Sequence, residues 1–400
     1  MWRTWTLLSA SRLGGVRNIG AAPRPVLALL ILVWASSAFA AEWTPAKSTA
    51  ADALVDQFLS RVDTARGVLP AVSLALAIGN ERALVLAKGY GESAPGVPAT
   101  AHTVYHVGSL AKQFTAAAVL DLVGRKARLR DGTPLTLDLA LARIFDGVEH
   151  WPGVDAENGK QPVTLRTLLT MTSNLPNFTR LPPSSTDPWG RIGAPELLSK
   201  LKKLRPSGWP NTFEYSNTSY FLLAEAIEEA VAPGESAPHS HHEYLRRVIF
   251  PRAGLVETGF VDDPASGRAV ARPIHRKTPV FDQPDWLKGS ADVASSATDL
   301  YAWNAALMSG RVLPAELFAL MVSDGARVTP DLYYGMGWFV EHRAAGDVYT
   351  HSGLVPGYTS YNLIARGAGD AWTSVTLLVN TDLVDGLDVL AEDLLRLARE

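Results

Sequence analysis

The chain has 400 residues, 47% of them hydrophobic, a net charge of -3 and no cysteine. This is core enough for one large domain or two closely packed ones. It excludes a disulfide scaffold, a thiol nucleophile and cysteine-bound metal, and with no basic cluster bearing interleaved aromatics it offers nothing for nucleic acid to bind.

Arg3, Arg12, Arg17 and Arg24 precede an apolar run at residues 26–34, and residues 35–41 end in an Ala-x-Ala pattern. A positive flank, a short apolar core and small residues describe a secretory leader cleaved after Ala40. The run is too short for a comfortable bilayer span, so an exported protein, periplasmic or secreted, with no stable membrane span after cleavage is expected. The next segment predicts an amphipathic helix carrying Leu54, Val55, Phe58, Leu59 and Val62, capped by Ser48 or Thr49. Strands at 71–78 and 83–87 follow, with Gly79-Asn80 as the hairpin turn between them. Strands first and a helix packed on them point to an α+β fold.

That helix begins in Val107-Gly108-Ser109-Leu110-Ala111-Lys112-Gln113-Phe114-Thr115 and continues through an apolar run to Val123. Residues three apart share a helix face, so the Ser109 hydroxyl and the Lys112 amine can point into one space. A serine hydroxyl needs a base to become a nucleophile, and a lysine kept from water can lose its proton near neutral pH. The first helical turn adds unpaired N–H groups that favour negative charge beside Ser109. S-x-x-K is nonetheless a cheap pattern, expected about once by chance in a chain of this size. A second copy, Ser199-Lys200-Leu201-Lys202, lies in a polar, lysine-rich stretch and reads as a solvated helix face.

From Leu129 to Pro284 the chain reads as helices and long loops, including a short helix bearing Leu165, Leu168, Leu169 and Met171. In Thr212-Phe213-Glu214-Tyr215-Ser216-Asn217 a phenol and an amide stand two residues apart at the mouth of an apolar helix. Tyr215 can serve as acid, base or relay there, and Asn217 can hold a substrate amide; equally, Ser216 or Asn217 caps the helix and Tyr215 packs. His239-Ser240-His241-His242-Glu243 lacks the spacing of a two-histidine zinc helix and follows a Pro/Gly-rich segment, so an exposed loop without metal is expected. Strands return in Tyr334-Gly335-Met336-Gly337-Trp338-Phe339-Val340, in Tyr349-Thr350-His351-Ser352-Gly353, and at 358–364 and 374–380. The glycines beside Trp338 and after Ser352 mark backbone approached closely by something. His351-Ser352-Gly353 suits a strand edge lining a cleft, where the N–H of Leu354 pairs with that of Ser109 to hold an oxyanion, although a strand histidine is as readily a core residue. A last helix carries Leu390, Leu394 and Leu397 and packs on the sheet.

Taken in order, Ser109-x-x-Lys112, Tyr215-x-Asn217 and His351-Ser352-Gly353 resemble the motifs of the serine β-lactamase and penicillin-binding-protein superfamily, in its class C-like, peptidase S12-like branch. The likeness extends to Leu168-Leu169-Thr170-Met171-Thr172-Ser173-Asn174-Leu175-Pro176 and Pro356-Gly357-Tyr358. It implies an antiparallel sheet flanked by helices, with sheet-bearing residues 41–128 and 285–400 enclosing a helical region at 129–284. It also implies Ser109 as acylated nucleophile, Lys112 as its base or relay, Tyr215 as base for attack or for the deacylating water, and Asn217 on the substrate amide. Lys112 and Tyr215 remain alternatives for the base. His351 stands where many relatives carry a lysine that meets a substrate carboxylate, and histidine is less reliably cationic at neutral pH. The expectation is therefore an esterase, D-aminopeptidase or D-Ala carboxypeptidase-like hydrolase of a small-molecule or peptide acyl substrate, without a cofactor. A true β-lactamase and a non-catalytic peptide- or muropeptide-binding relative are the alternatives, and the oligomeric state is left open. Asn174 and Asn211 replace common glycines, and asparagine tolerates left-handed backbone; Met171 replaces a common histidine.

Overall fold

The computed structural model describes residues 43–66, 72–145, 162–178, 194–201, 211–236, 238, 240–262, 270–275 and 287–400. The expected leader lies outside them. Among the described residues no helix is long and apolar enough to cross a membrane.

Helix α1 (Pro45–Arg66) opens the fold. Its cap is Thr44, whose hydroxyl accepts from the Lys47 N–H at 3.3 Å, rather than Ser48 or Thr49; the Ser48 hydroxyl is taken by the Trp43 indole. Strands β1 (Leu74–Asn80) and β2 (Leu84–Tyr90) form the hairpin, but the turn begins at Glu81, two residues later than expected. Asn80 ends the strand, and its side-chain oxygen accepts from the N–H groups of Arg82 and Ala83, a local turn that asparagine favours. Gly79 sits at a bulge instead, because the Tyr301 ring occupies the space of any side chain there.

The remaining strands of the main sheet come from the other end of the chain: β3 (Ala326–Arg327), β4 (Leu332–Tyr334), β5 (Phe339–Glu341), β6 (Val348–Val355), β7 (Tyr358–Arg366) and β8 (Trp372–Val379). The expected single strand at 334–340 is thus a hairpin, broken where Gly337 adopts φ +83°. The eight strands are antiparallel in the order β3-β4-β5-β6-β7-β8-β1-β2.

Alternation along β1 decides how the layers stack. Leu74, Leu76 and Ile78 enter the core beneath α1 and helix α10 (Leu387–Arg399), whereas Ala75 and Ala77 enter the larger core on the opposite face. Small residues on that face let α8 (Ala297–Met308) pack close to β1 and β8. Beyond it lie α2 (Ala111–Gly124), the short α3 (Leu165–Leu169), α4 (Ala194–Leu201), α5 (Asn217–Glu228), α6 (His241–Tyr244), α7 (Phe250–Ala253) and α9 (Ala315–Met321). The arrangement is the expected α+β fold, an antiparallel sheet with helices on both faces. Helix α2 is buried on all sides through Leu122, so that Lys112, Gln113, Thr115 and Asp121 are enclosed along with its apolar residues. On α4 the second S-x-x-K is peripheral, with Ser199 exposed while Leu197 and Leu201 pack inward.

The layer under α10 touches none of the motif residues, so stability and chemistry separate there. Leu394→Ala, at a fully buried position of α10, is expected to lower unfolding stability by about 2–5 kcal/mol. Urea denaturation measures that loss, and the affinity of the folded protein for any cleft ligand should be unchanged.

Candidate active site

A three-residue 3-10 turn, Gly108–Leu110, leads directly into α2. Gly108 holds φ +53°, and a side chain on it would stand 2.8 Å from the amide nitrogen of Leu354. On the partner strand, a side chain on Gly353 would fall 2.0 Å from the Val107 carbonyl oxygen. Two glycines therefore let this turn lie directly against β6. The contact is possible because β5 stops pairing with β6 at Thr350, leaving one side of residues 351–355 without a strand partner. The Val107 N–H donates to Val293 O at 3.1 Å and its carbonyl accepts from the Ser360 hydroxyl at 2.8 Å, fixing the turn from both sides. Gly337 is approached in the same way, by the Lys112 carbonyl, so both glycine signals in the C-terminal strands mark the place where α2 meets the sheet.

Lys112, the second residue of α2 and one turn beyond Ser109, is fully buried. Its Nζ is 3.0 Å from Ser109 Oγ, 2.8 Å from Asn217 Oδ1 and 2.8 Å from the Ser290 carbonyl oxygen. The Tyr215 and Tyr220 rings close over it, with centroids 4.8 and 5.7 Å away. Burial drives its pKa well below the usual 10.5, and the carboxylate of Asp292 only partly opposes this. A neutral amine has two hydrogens and one lone pair. Asn217 Oδ1 and Ser290 O can only accept, so they take the hydrogens, and the lone pair is left facing the Ser109 hydroxyl.

Tyr215 is half-buried, hydrogen-bonds the Ser109 side chain, and has its pKa raised by burial, so its phenol keeps its proton. It is held from behind by the 165–178 segment. The Glu214 N–H donates to Met171 O at 2.9 Å and the Ser216 N–H to Met171 Sδ at 3.2 Å. Met171 adopts φ +58°, as do Asn174 (+58°) and, just before the tyrosine, Asn211 (+61°). The two asparagines occupy left-handed positions as their residue type suggests, and Met171 is now seen to shape the Tyr215 turn. Asn217 starts α5, but neither it nor Ser216 caps the helix through its side chain; the amide is turned to Lys112 instead.

His351 departs from the picture of a residue facing a substrate carboxylate. It is 1% exposed. Its Nδ1 donates to Ser352 O at 2.7 Å, which leaves Nε2 to accept from the Tyr334 hydroxyl at 3.3 Å. Burial pushes its pKa down to about 3. Ser352, by contrast, is exposed on the same strand.

The expected exposed loop is also overturned at 240–243, while His239 lies outside the described residues. Ser240 caps α6 through the Glu243 N–H, and His241 is fully buried because α6 packs on α5 and the following helical segment. Sequence reasoning missed Ser290, which contributes only a backbone carbonyl, and Tyr220 and Tyr334, which read as ordinary core aromatics. The one available signal was Gly289, whose φ of +67° sets the turn that presents Ser290.

The sequence profile of the Beta-lactamase family matches residues 51–400, and the chain belongs to that family. It is 26% identical over 299 residues to penicillin-binding protein 4* of Bacillus subtilis, covering 68% of this chain and 60% of that protein. It is 26% identical over 271 residues to a D-aminopeptidase of Brucella anthropi, covering 65% of this chain and 46% of that protein. The chain thus spans roughly half to three fifths of the length of these curated relatives. Among solved structures, D-amino acid amidase from Ochrobactrum anthropi SV3 in complex with D-phenylalanine superposes with a TM-score of 0.66 at 21% identity, over 88% of this chain and 98% of that one. The fold is that of the β-lactamase and penicillin-binding proteins.

The neutral ring of His351 has a consequence for stability. Below pH 6.5 an unfolded chain takes up a proton that the folded ring refuses until about pH 3. Stability from this ring is complete above 6.5 and drains as pH falls toward 3, by up to about 1.4 kcal/mol per pH unit. Urea denaturation between pH 4 and 6.5 should show a shallower acid slope in His351→Gln than in the wild type. Identical slopes would contradict the assignment.

Proposed function

We propose that the chain is an exported serine acyl hydrolase of the class C-like branch, forming an acyl-enzyme at Ser109. The carrying observation is the lone pair of a buried, neutral Lys112 aimed at the Ser109 hydroxyl. As Ser109 Oγ attacks a substrate carbonyl, its proton passes to Lys112 Nζ. The N–H groups of Ser109 and Leu354 hold the oxyanion, a role supported by the close approach of β6 to the Gly108–Leu110 turn. Tyr215 gives its phenolic proton to the leaving group and recovers one from the Lys112 ammonium, which restores the pair for the deacylating water. Asn217 serves first as an anchor for Lys112, and in a complex its amide nitrogen is available to a substrate carbonyl. Export rests on the leader-like pattern of the first 40 residues.

For the substrate we infer the amide, ester or short peptide of a D-amino acid, in preference to a penicillin. A likeness to a D-aminopeptidase supports this. So does the missing cation at position 351, where a free carboxylate would need one. His351 then acts by fixing the strand edge that carries Ser352 and Gly353, and Ser352 is the side chain there that reaches a ligand.

A fluorophosphonate probe should add once to the purified protein, at Ser109 by mass spectrometry, and Ser109→Ala should abolish the adduct. Lys112→Met should slow turnover by about 10²- to 10⁴-fold. The rate should climb with pH as Lys112 loses its proton and fall only above pH 10, where the Tyr215 phenol ionises. Compared side by side, D-amino-acid amides and p-nitrophenyl esters should be turned over faster than nitrocefin. With neither adduct nor turnover, the cleft would instead be a peptide-binding site.

A further inference from the structure

One turn along α2 from Lys112, on the far side of the Ser290 turn, a second polar cluster lies in the core. Thr115 Oγ1 is 2.8 Å from the Gly289 carbonyl and 3.1 Å from His241 Nε2. A hydroxyl has a single hydrogen, and the carbonyl can only accept it. Nε2 must therefore carry the ring hydrogen and donate to Thr115, leaving Nδ1 with a bare lone pair. That lone pair faces Asp292, with Nδ1 3.8 Å from Oδ2. His242 Nε2 lies 2.8 Å from the same Oδ2. Among the described residues, neither His241 Nδ1 nor Asp292 Oδ1 has a hydrogen-bond partner, and both atoms are out of reach of solvent. The three residues offer ligand atoms all within 4.8 Å of one another.

His242 donates its Nε2 hydrogen to the Asp292 carboxylate, but the bare Nδ1 of His241 still faces it across a dry gap, an arrangement that costs free energy unless something positive lies between them. A proton on His241 Nδ1 is a poor answer, because the carboxylate oxygen 3.8 Å away is beyond hydrogen-bond reach and would not accept it. Two imidazole nitrogens and a carboxylate oxygen are instead the donor set of a divalent transition ion. The hydrogen bond from His241 Nε2 to Thr115 is the outer contact that fixes the tautomer of a ligating histidine. Bonds of about 2.0–2.2 Å to a tetrahedral ion need donor separations of roughly 3.2–3.6 Å. The 3.8 Å gap between His241 and Asp292 is close to that. The shorter one to His242 opens by a slide of its ring, which is 25% exposed and stacked 3.5 Å over Phe260.

We propose that His241, His242 and Asp292 bind one zinc-class divalent ion, with the fourth position left to water. Asp292 Oδ2 also accepts from the Gly289 N–H at 3.0 Å. The ion therefore pins the turn at residues 287–292, and through Ser290 O that turn holds Lys112. Its role is structural and is independent of whether Ser109 is acylated.

The test uses the full mature protein with any affinity tag removed, stripped with chelator and then titrated with zinc or cobalt. One zinc per chain is expected by mass spectrometry and calorimetry, along with a rise in Tm and, for cobalt, the visible absorption of a four-coordinate site. His242→Gln, at a partly exposed position that tolerates replacement, should weaken binding by more than about 100-fold and erase the rise in Tm. A control, His342→Gln, removes the exposed histidine between Asp324 and Asp347 and should change neither. The proposal is overturned by a Tm that zinc leaves unmoved, by sub-stoichiometric uptake, or by equal binding in His242→Gln and wild type.

Discussion

A lysine without water is the constraint that organises this molecule. The Lys112 amine is enclosed by two tyrosine rings and the body of α2, where a charge is expensive and an unpaired N–H nearly as much so. Its partners come from three separate places, the turn before α2, the start of α5 and the turn at 287–292, so satisfying one amine locks three elements together. The sheet contributes by subtraction: Gly337 and Gly353 carry no side chain, which lets the backbones on either side of Lys112 come into contact with the strands.

Much of this was readable from the sequence, for reasons that differ by element. The distinction between the two S-x-x-K copies follows from what comes after each, a largely apolar helix in one case and a lysine-rich face in the other. The last helix and the strands at 348–379 were legible because their apolar spacing is regular. Turn positions were less so. The β1–β2 turn begins two residues later than the composition suggests because Asn80 folds its side chain back onto the amides of Arg82 and Ala83, and Gly79 is needed for the Tyr301 ring instead of for positive φ. The 334–340 segment alternates like a strand, and only the left-handed Gly337 turns it into a hairpin.

Two misreadings share one cause, the use of residue type where burial decides. The motif position of His351 suggests a ligand of substrate, yet a polar residue on a strand edge turns inward, as a core histidine does, when a neighbouring carbonyl and a buried phenol supply partners for both nitrogens. The histidines at 241 and 242 looked exposed because Pro and Gly precede them, but a loop composition says nothing about the helix that follows it. Ser290 was invisible for a simpler reason, since a backbone carbonyl belongs to every residue alike.

The pairing of β1 with β8, Leu74 against Val379, governs the order of assembly. A strand made early becomes interior only when one made near the end arrives to pair with its free edge, and α8 and α10, which help to cover its alanine and leucine faces, also come from the later part of the chain. The newborn polypeptide consequently stays open until synthesis has passed residue 379. That delay leaves apolar strand surface uncovered for as long as the C-terminal strands and helices are missing.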